Sequence, residues 1–178
     1  MLPPVAAIEA PAMPEPFRAL LAHESDMTST LERFHGRAIH LCVLHREQDR
    51  LPSGESVYRR EIVLKLNGSD QPVEYGAIEI HLDQFPEAAR AEILAEQRPL
   101  GAILNGNGMR YVSRPAAFLR LASDPYINEL LGLRGAQILF GRRNRLLNAV
   151  GALLADIVEI LPPARTALFP IGRSGSGT

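Results

Sequence analysis

Four short segments carry residue types suited to holding a small anion. The first, Ser25-Asp26-Met27-Thr28, reads as a helix start. Backbone N–H groups there lack intrahelical acceptors and can receive a negative charge, or simply be capped. The second, "YRREIVL" from Tyr58, places charge at the head of a strand that turns apolar. Side chains alternate between faces in a strand, so Arg60 goes with Ile62 and Leu64, and Arg59 goes with Glu61. A core-facing arginine needs a partner, because a buried charge left alone is strongly unfavourable. Its partner is either an acidic ligand or an internal carboxylate. The third segment, Arg98-Pro99-Leu100, enters another helix, and the fourth joins Gly141-Arg142-Arg143 to a closing strand that contains Glu159. Glu159 shares a face with Ile157 and Leu161, while Val158 and Ile160 take the other; alternation leaves open which face is buried.

Other chemistries are poorly served. The single cysteine, Cys42, excludes an internal disulfide and a cysteine-based zinc site, and its apolar surroundings suit a small buried hydrophobe. The five histidines form no HxH or HxxxH pair, so no metal is expected. There is no GxSxG elbow, and the glycines from Gly101 to Gly108 have neither dinucleotide nor P-loop spacing. The 178 residues carry 19 basic and 20 acidic side chains, a net charge of −1, which offers no broad field for a nucleic-acid backbone. Eighteen of the 19 basic residues are arginine, Lys65 being the exception. That bias fits codon preference as well as it fits two-point carboxylate recognition. Neither a signal peptide nor an apolar stretch of membrane-spanning length is present, and a cytoplasmic domain is expected.

The elements that must position these residues follow from the apolar periods. A short helix starts at Phe17, and a second is capped by Ser25-Asp26 and stopped by Gly36. Strands are predicted over Ala38–His45, Ser56–Leu66 and Val73–Leu82, the last two joined by the turn Asn67-Gly68-Ser69-Asp70. Helices follow from Pro86 to about Gln97 and from Pro99 to Leu104. Met109–Leu121 is predicted to be extended, with Pro115 forcing an edge or a bulge. Asp124-Pro125 caps a helix ending near Gly132, and strands Gln137–Asn148 and Gly151–Leu161 close the chain. Residues 1–16 hold five of the 14 prolines and are expected to form an irregular arm; 17–163 are expected as one domain and 164–178 as a flexible tail. Hairpins with inserted helices predict an α+β fold on a mostly antiparallel sheet.

In their order and spacing, "SDMTSTLERFHG", "YRREIVLKLNG", "PVEYGAIEIHLDQFP", "RPLGAILNG" and "GRRNRLLNAVGALLADIVEILPP" resemble the chorismate pyruvate-lyase family over about residues 18 to 163. The resemblance implies an enclosed ligand cavity and cofactor-free cleavage of chorismate to 4-hydroxybenzoate and pyruvate. It further implies that Arg60 grips the ring carboxylate and that Glu159 meets the hydroxyl end, handling a proton or aligning the hydroxyl. Met27 and Leu100 match positions whose backbone amides help hold the carboxylate. Arg142 and Arg143 fall in the family's Gly-Arg-Arg segment, where a second anionic contact is expected. Asp156 is the alternative acid to Glu159, and strand alternation allows only one of them to face a cavity. A second reading is a non-catalytic aromatic-acid sensor. The same fold class serves as the effector domain of some bacterial regulators, whose winged-helix region residues 1–17 are too short to supply.

Overall fold

The computed structural model describes residues 5–164. Seven strands form one sheet: β1 (Val5–Ile8), β2 (Ile39–Arg50), β3 (Ser56–Leu66), β4 (Pro72–His81), β5 (Tyr111–Ala122), β6 (Ile138–Asn148) and β7 (Leu153–Leu161). Their order is β1-β5-β6-β7-β4-β3-β2, and every neighbouring pair is antiparallel. Five helices complete the fold: α1 (Phe17–Leu21), α2 (Met27–His35), α3 (Glu87–Ala95), α4 (Leu100–Gly106) and α5 (Pro125–Leu131). The α+β architecture with an antiparallel sheet is therefore as the sequence predicts.

Local chemistry sets the element ends. Asp26 caps α2 by accepting from the Ser29 amide at 2.8 Å, and Asp124 caps α5 by accepting from Ile127 at the same distance. Gly36 and Gly132 close those helices in the left-handed conformation that glycine adopts without a Cβ penalty. The β5 ladder bulges between Pro115 and Ala117, beyond the reach of β1, which pairs only with Phe118–Leu121. Proline lacks the amide needed for a regular ladder, so bulge and edge coincide there.

Two expectations change. Residues 5–8 of the proline-rich start form an edge strand, β1, rather than an irregular arm. Strand β2 runs on to Arg50 instead of ending at His45: the charged stretch Arg46–Arg50 keeps pairing with β3 because it lies on the sheet edge, where charges remain solvated. The tail expected over 164–178 lies outside the described residues, except for Ala164.

The sheet is covered unequally. Helices α1 to α4 pack on one face, where Phe17, Leu21, Leu31, Ile93 and Ile103 meet Tyr58, Ile62, Leu64, Ile78, Phe140 and Ile157 in the main core. The rings of Phe17 and Phe140 lie 5.1 Å apart. Helix α5 alone packs on the opposite face, seating Ile127 and Leu131 on Leu121, Leu139 and Ile160. Among the described residues no helix is long and apolar enough to cross a membrane.

Candidate functional site

The main-core face is not purely apolar. Pairing aligns Arg60 with Ile78 and Ile157, and Gly76 with Glu159 and Arg142, so all of these residues share the face covered by α1 to α4. Four charged side chains are thus buried there: Arg60 on β3, Glu74 on β4, Arg142 on β6 and Glu159 on β7.

Arg60 is 2% exposed, yet Nε, Nη1 and Nη2 all lack a hydrogen-bond partner among the described residues. The acid whose charge acts on it, Glu96, is already engaged. Glu96 accepts from the Tyr58 hydroxyl and pairs with Arg46 at 2.6 Å. Burial pushes the Arg60 pKa down, and Tyr58 and Glu96 only oppose that trend. The same surroundings push the Tyr58 hydroxyl up to about 12, through burial and then its bond to Glu96. A guanidinium with five N–H donors and no acceptor is an anion site in waiting, and its planar fork suits a carboxylate.

Beside Arg60's neighbours lies a small cavity of about 40 Å³. Its floor is Ile62, Leu64, Ile78, Ile157, Glu74 and Glu159, and its roof is the start of α2 (Asp26, Met27, Thr28) with the start of α4 (Pro99, Leu100, Gly101). The two helix starts touch: a Cβ built on Gly101 would lie 3.1 Å from Asp26 Cβ. Met27 and Leu100 both line the cavity. An apolar cavity of about 150 Å³ accepts a benzene ring. At about 40 Å³ this cavity is smaller than a ring requires.

Arg142 is fully buried and fully committed. It donates to Glu159 through Nε and to the carbonyls of Leu21, His23 and Ser25 at 3.1, 2.9 and 3.3 Å. It thereby ties the α1–α2 connection to the sheet, and its charge is answered inside the protein rather than by a second anion. His23, within that connection, is held below the usual histidine range by burial and by Arg142. Arg143, also expected at a second anionic contact, points the other way. It is half-exposed on the opposite face and pairs two-pronged with Asp156 at 2.8 and 2.7 Å. Adjacent strand residues must face opposite sides, so Arg142 and Arg143 never converge. Asp156 lies on Arg143's face, so of these two acids Glu159 is the one that lines the cavity.

Sequence reasoning missed Glu74. It is 3% exposed, lines the cavity, and its Oε2 has no hydrogen-bond partner among the described residues. The signal was present: Glu74 stands two, four and six residues before Gly76, Ile78 and Ile80, on the apolar face of its strand. Burial, and next the charge of Glu159, push its pKa well up. Burial also raises Glu159, but there Arg142 pulls back through its charge and its hydrogen bond. Of the two carboxyls, Glu74 is pushed up the more strongly. No cluster of metal-ligating residues occurs among the described residues.

No protein-family model and no curated protein matches the chain by sequence. Solved structures do resemble it. The effector domain of PhnF from Mycobacterium smegmatis aligns with a TM-score of 0.61 at 14% identity, over 79% of this chain and 90% of that one. The longer PhnF structure gives 0.59 at 14% identity, over 78% of this chain and 64% of that one. The ligand-binding domain of a GntR-family transcriptional regulator from Bordetella bronchiseptica gives 0.53 at 16% identity, over 70% and 86%. At such identities the likeness establishes the fold. It also corrects the expectation of an enzyme, because the solved structures that the chain resembles are described as a ligand-binding domain of a GntR-family transcriptional regulator and the effector domain of PhnF.

Proposed function

We propose that this chain is a non-catalytic binding domain for a small aromatic carboxylate, a sensor module whose anion grip is Arg60. One observation carries the reading: a buried guanidinium with all three nitrogens unpartnered among the described residues, on the sheet face whose Ile62, Ile78 and Ile157 also floor a small cavity of mixed polar and apolar lining. Such a charge is costly unless something answers it, and a ligand carboxylate answers it with paired, charge-assisted bonds. The ligand-binding and effector roles of the structural neighbours support the same reading. The apolar side chains on that face, with Met27 and Leu100 above them, suit a ring behind the carboxylate.

Thermal unfolding with benzoate, 4-hydroxybenzoate and the neutral isostere benzamide tests this. A ligand at about 100 times its Kd stabilises by about 2.7 kcal/mol, or about 5–10 °C for a domain of this size. The acids are expected to raise Tm and benzamide to leave it unchanged, while Arg60→Met abolishes the response. Incubation with chorismate is expected to release no pyruvate. Equal shifts in wild type and Arg60→Met, or pyruvate release that depends on the protein, would overturn the proposal.

A further inference from the structure

Helix α3 ends in an unusual way. Glycine takes the left-handed position after α2 and α5, but after α3 that position holds Glu96, with φ 57° and ψ 23°. A Cβ makes this conformation unfavourable. Among the described residues the other non-glycine with positive φ, Asp70, lies in the β3–β4 turn, where aspartate tolerates it through local bonds. Backbone strain of this kind persists where surrounding contacts over-determine it, and it gathers at ligand clamps and active sites. The contacts of Glu96 are made by its carboxylate. One oxygen accepts from the Tyr58 hydroxyl, and the other accepts from Arg46 Nη1 at 2.6 Å.

Both partners belong to the surroundings of Arg60. Tyr58 stands two residues before it on β3, on the same face, and Arg46 of β2 is its register partner. The two bonds therefore fix the Glu96 carboxylate beside the Arg46–Arg60 row, 14% exposed, where its charge acts on the Arg60 guanidinium without bonding it. Arg46 and Glu96 cancel, and the group is left with one net positive charge, that of Arg60.

We infer that Glu96 is a charge-selecting residue, which sets the Arg60 site for a singly charged anion and against a doubly charged one such as a phosphate monoester. The inference rests on the binding reading above and deepens it, since it names the charge the ligand carries. A monoanion on Arg60 leaves the buried group neutral. A dianion leaves one negative charge in excess beside a fixed carboxylate, in surroundings that screen it poorly. Such a repulsive element lets a site reject a ligand that its attractive group alone would accept. The charged or titratable groups acting on Arg60 and Tyr58 are Arg46 from β2, Glu96 from the end of α3, and each other.

Calorimetric titration of wild type, Glu96→Gln and Tyr58→Phe with benzoate and phenyl phosphate, at pH 5 and pH 8, tests it. The second ionisation of a phosphate monoester lies near about 6, so phenyl phosphate passes from monoanion to dianion while benzoate stays singly charged. The comparison thus changes the charge of one ligand without changing its size, and benzoate serves as the reference at each pH. Wild type is expected to bind phenyl phosphate about 10-fold more tightly at pH 5 than at pH 8. Glu96→Gln keeps the shape and an acceptor but removes the charge and frees Arg46 as a second cation. It is expected to bind the dianion, with the ratio reduced below about 3-fold. Tyr58→Phe removes a bond to Glu96 but not its charge, and keeps the wild-type ratio.

Equal binding of monoanion and dianion by wild type, or an unchanged ratio in Glu96→Gln, overturns this inference alone. So does failure of Glu96→Gln to bind the dianion. Loss of the ratio in Tyr58→Phe as complete as in Glu96→Gln also overturns it, because packing rather than charge then sets the preference. Failure of benzoate to bind wild type overturns the binding reading and this inference with it.

Discussion

Arg142 and Arg143 are neighbours in sequence with opposite surroundings, and they illustrate how little residue type alone decides. Arg142 sits in the core, bonded to Glu159 and to three backbone carbonyls. Removing one partner of a buried pair leaves the other charge stranded, so Arg142→Ala is expected to cost about 3–5 kcal/mol. Arg143 makes a pair with Asp156 that is open to solvent on the arginine's side, and Arg143→Ala is expected to cost less than about 1 kcal/mol. Urea denaturation of both variants checks the contrast; equal losses would mean that the Arg142 network contributes nothing special. Arg60 differs from both. Its charge has no internal answer among the described residues, so Arg60→Met, which fills similar space without charge, is expected to raise Tm in the absence of ligand. A residue whose loss stabilises the empty fold and abolishes binding is one kept for its ligand, the usual trade between stability and function.

At the scale of elements, the site depends on four central strands held in one register and on two helix starts laid across them. At Gly141 the β7 backbone leaves no room for a side chain: a Cβ there would lie 2.3 Å from the Glu159 carbonyl oxygen. Replacing a strand glycine by alanine ordinarily gains about 0.5–1 kcal/mol of backbone entropy. Here the clash is with backbone, which cannot rotate away, and forced displacement costs about 1–3 kcal/mol or more. Gly141→Ala is therefore expected to lower the urea midpoint, and an unchanged or raised midpoint would show that the strands can part freely. Much of this level is legible in the sequence, because alternation placed Arg60 inward and caps marked both ends of α2 and α5. Three features were not. Glu159's face stayed open because both faces of β7 are apolar, each covered by helices. The far half of β2 looked like a loop because an edge strand can carry unbroken charge. Strand β1 hid among prolines because four mostly exposed residues have no apolar period to read.

At the scale of the whole molecule, the near-neutral net charge conceals a polarised interior. Arg60, in register with Ile78 and Ile157, is a buried cation without a partner among the described residues, and one row along the same face Ile62 and Gly76 align with Glu159 and its arginine, Arg142. The order of segments in the sequence pointed to the fold. The activity did not follow, because a fold and an anion grip are shared by proteins that transform a ligand and proteins that only bind it. The most direct test is the side-chain Nε–H resonance of Arg60, assigned by its disappearance in Arg60→Met and followed by NMR as 4-hydroxybenzoate is added. The account predicts a saturable shift of that resonance, accompanied by shifts of the Met27 and Leu100 amides. Saturation of the protein with the Arg60 resonance unmoved would contradict it.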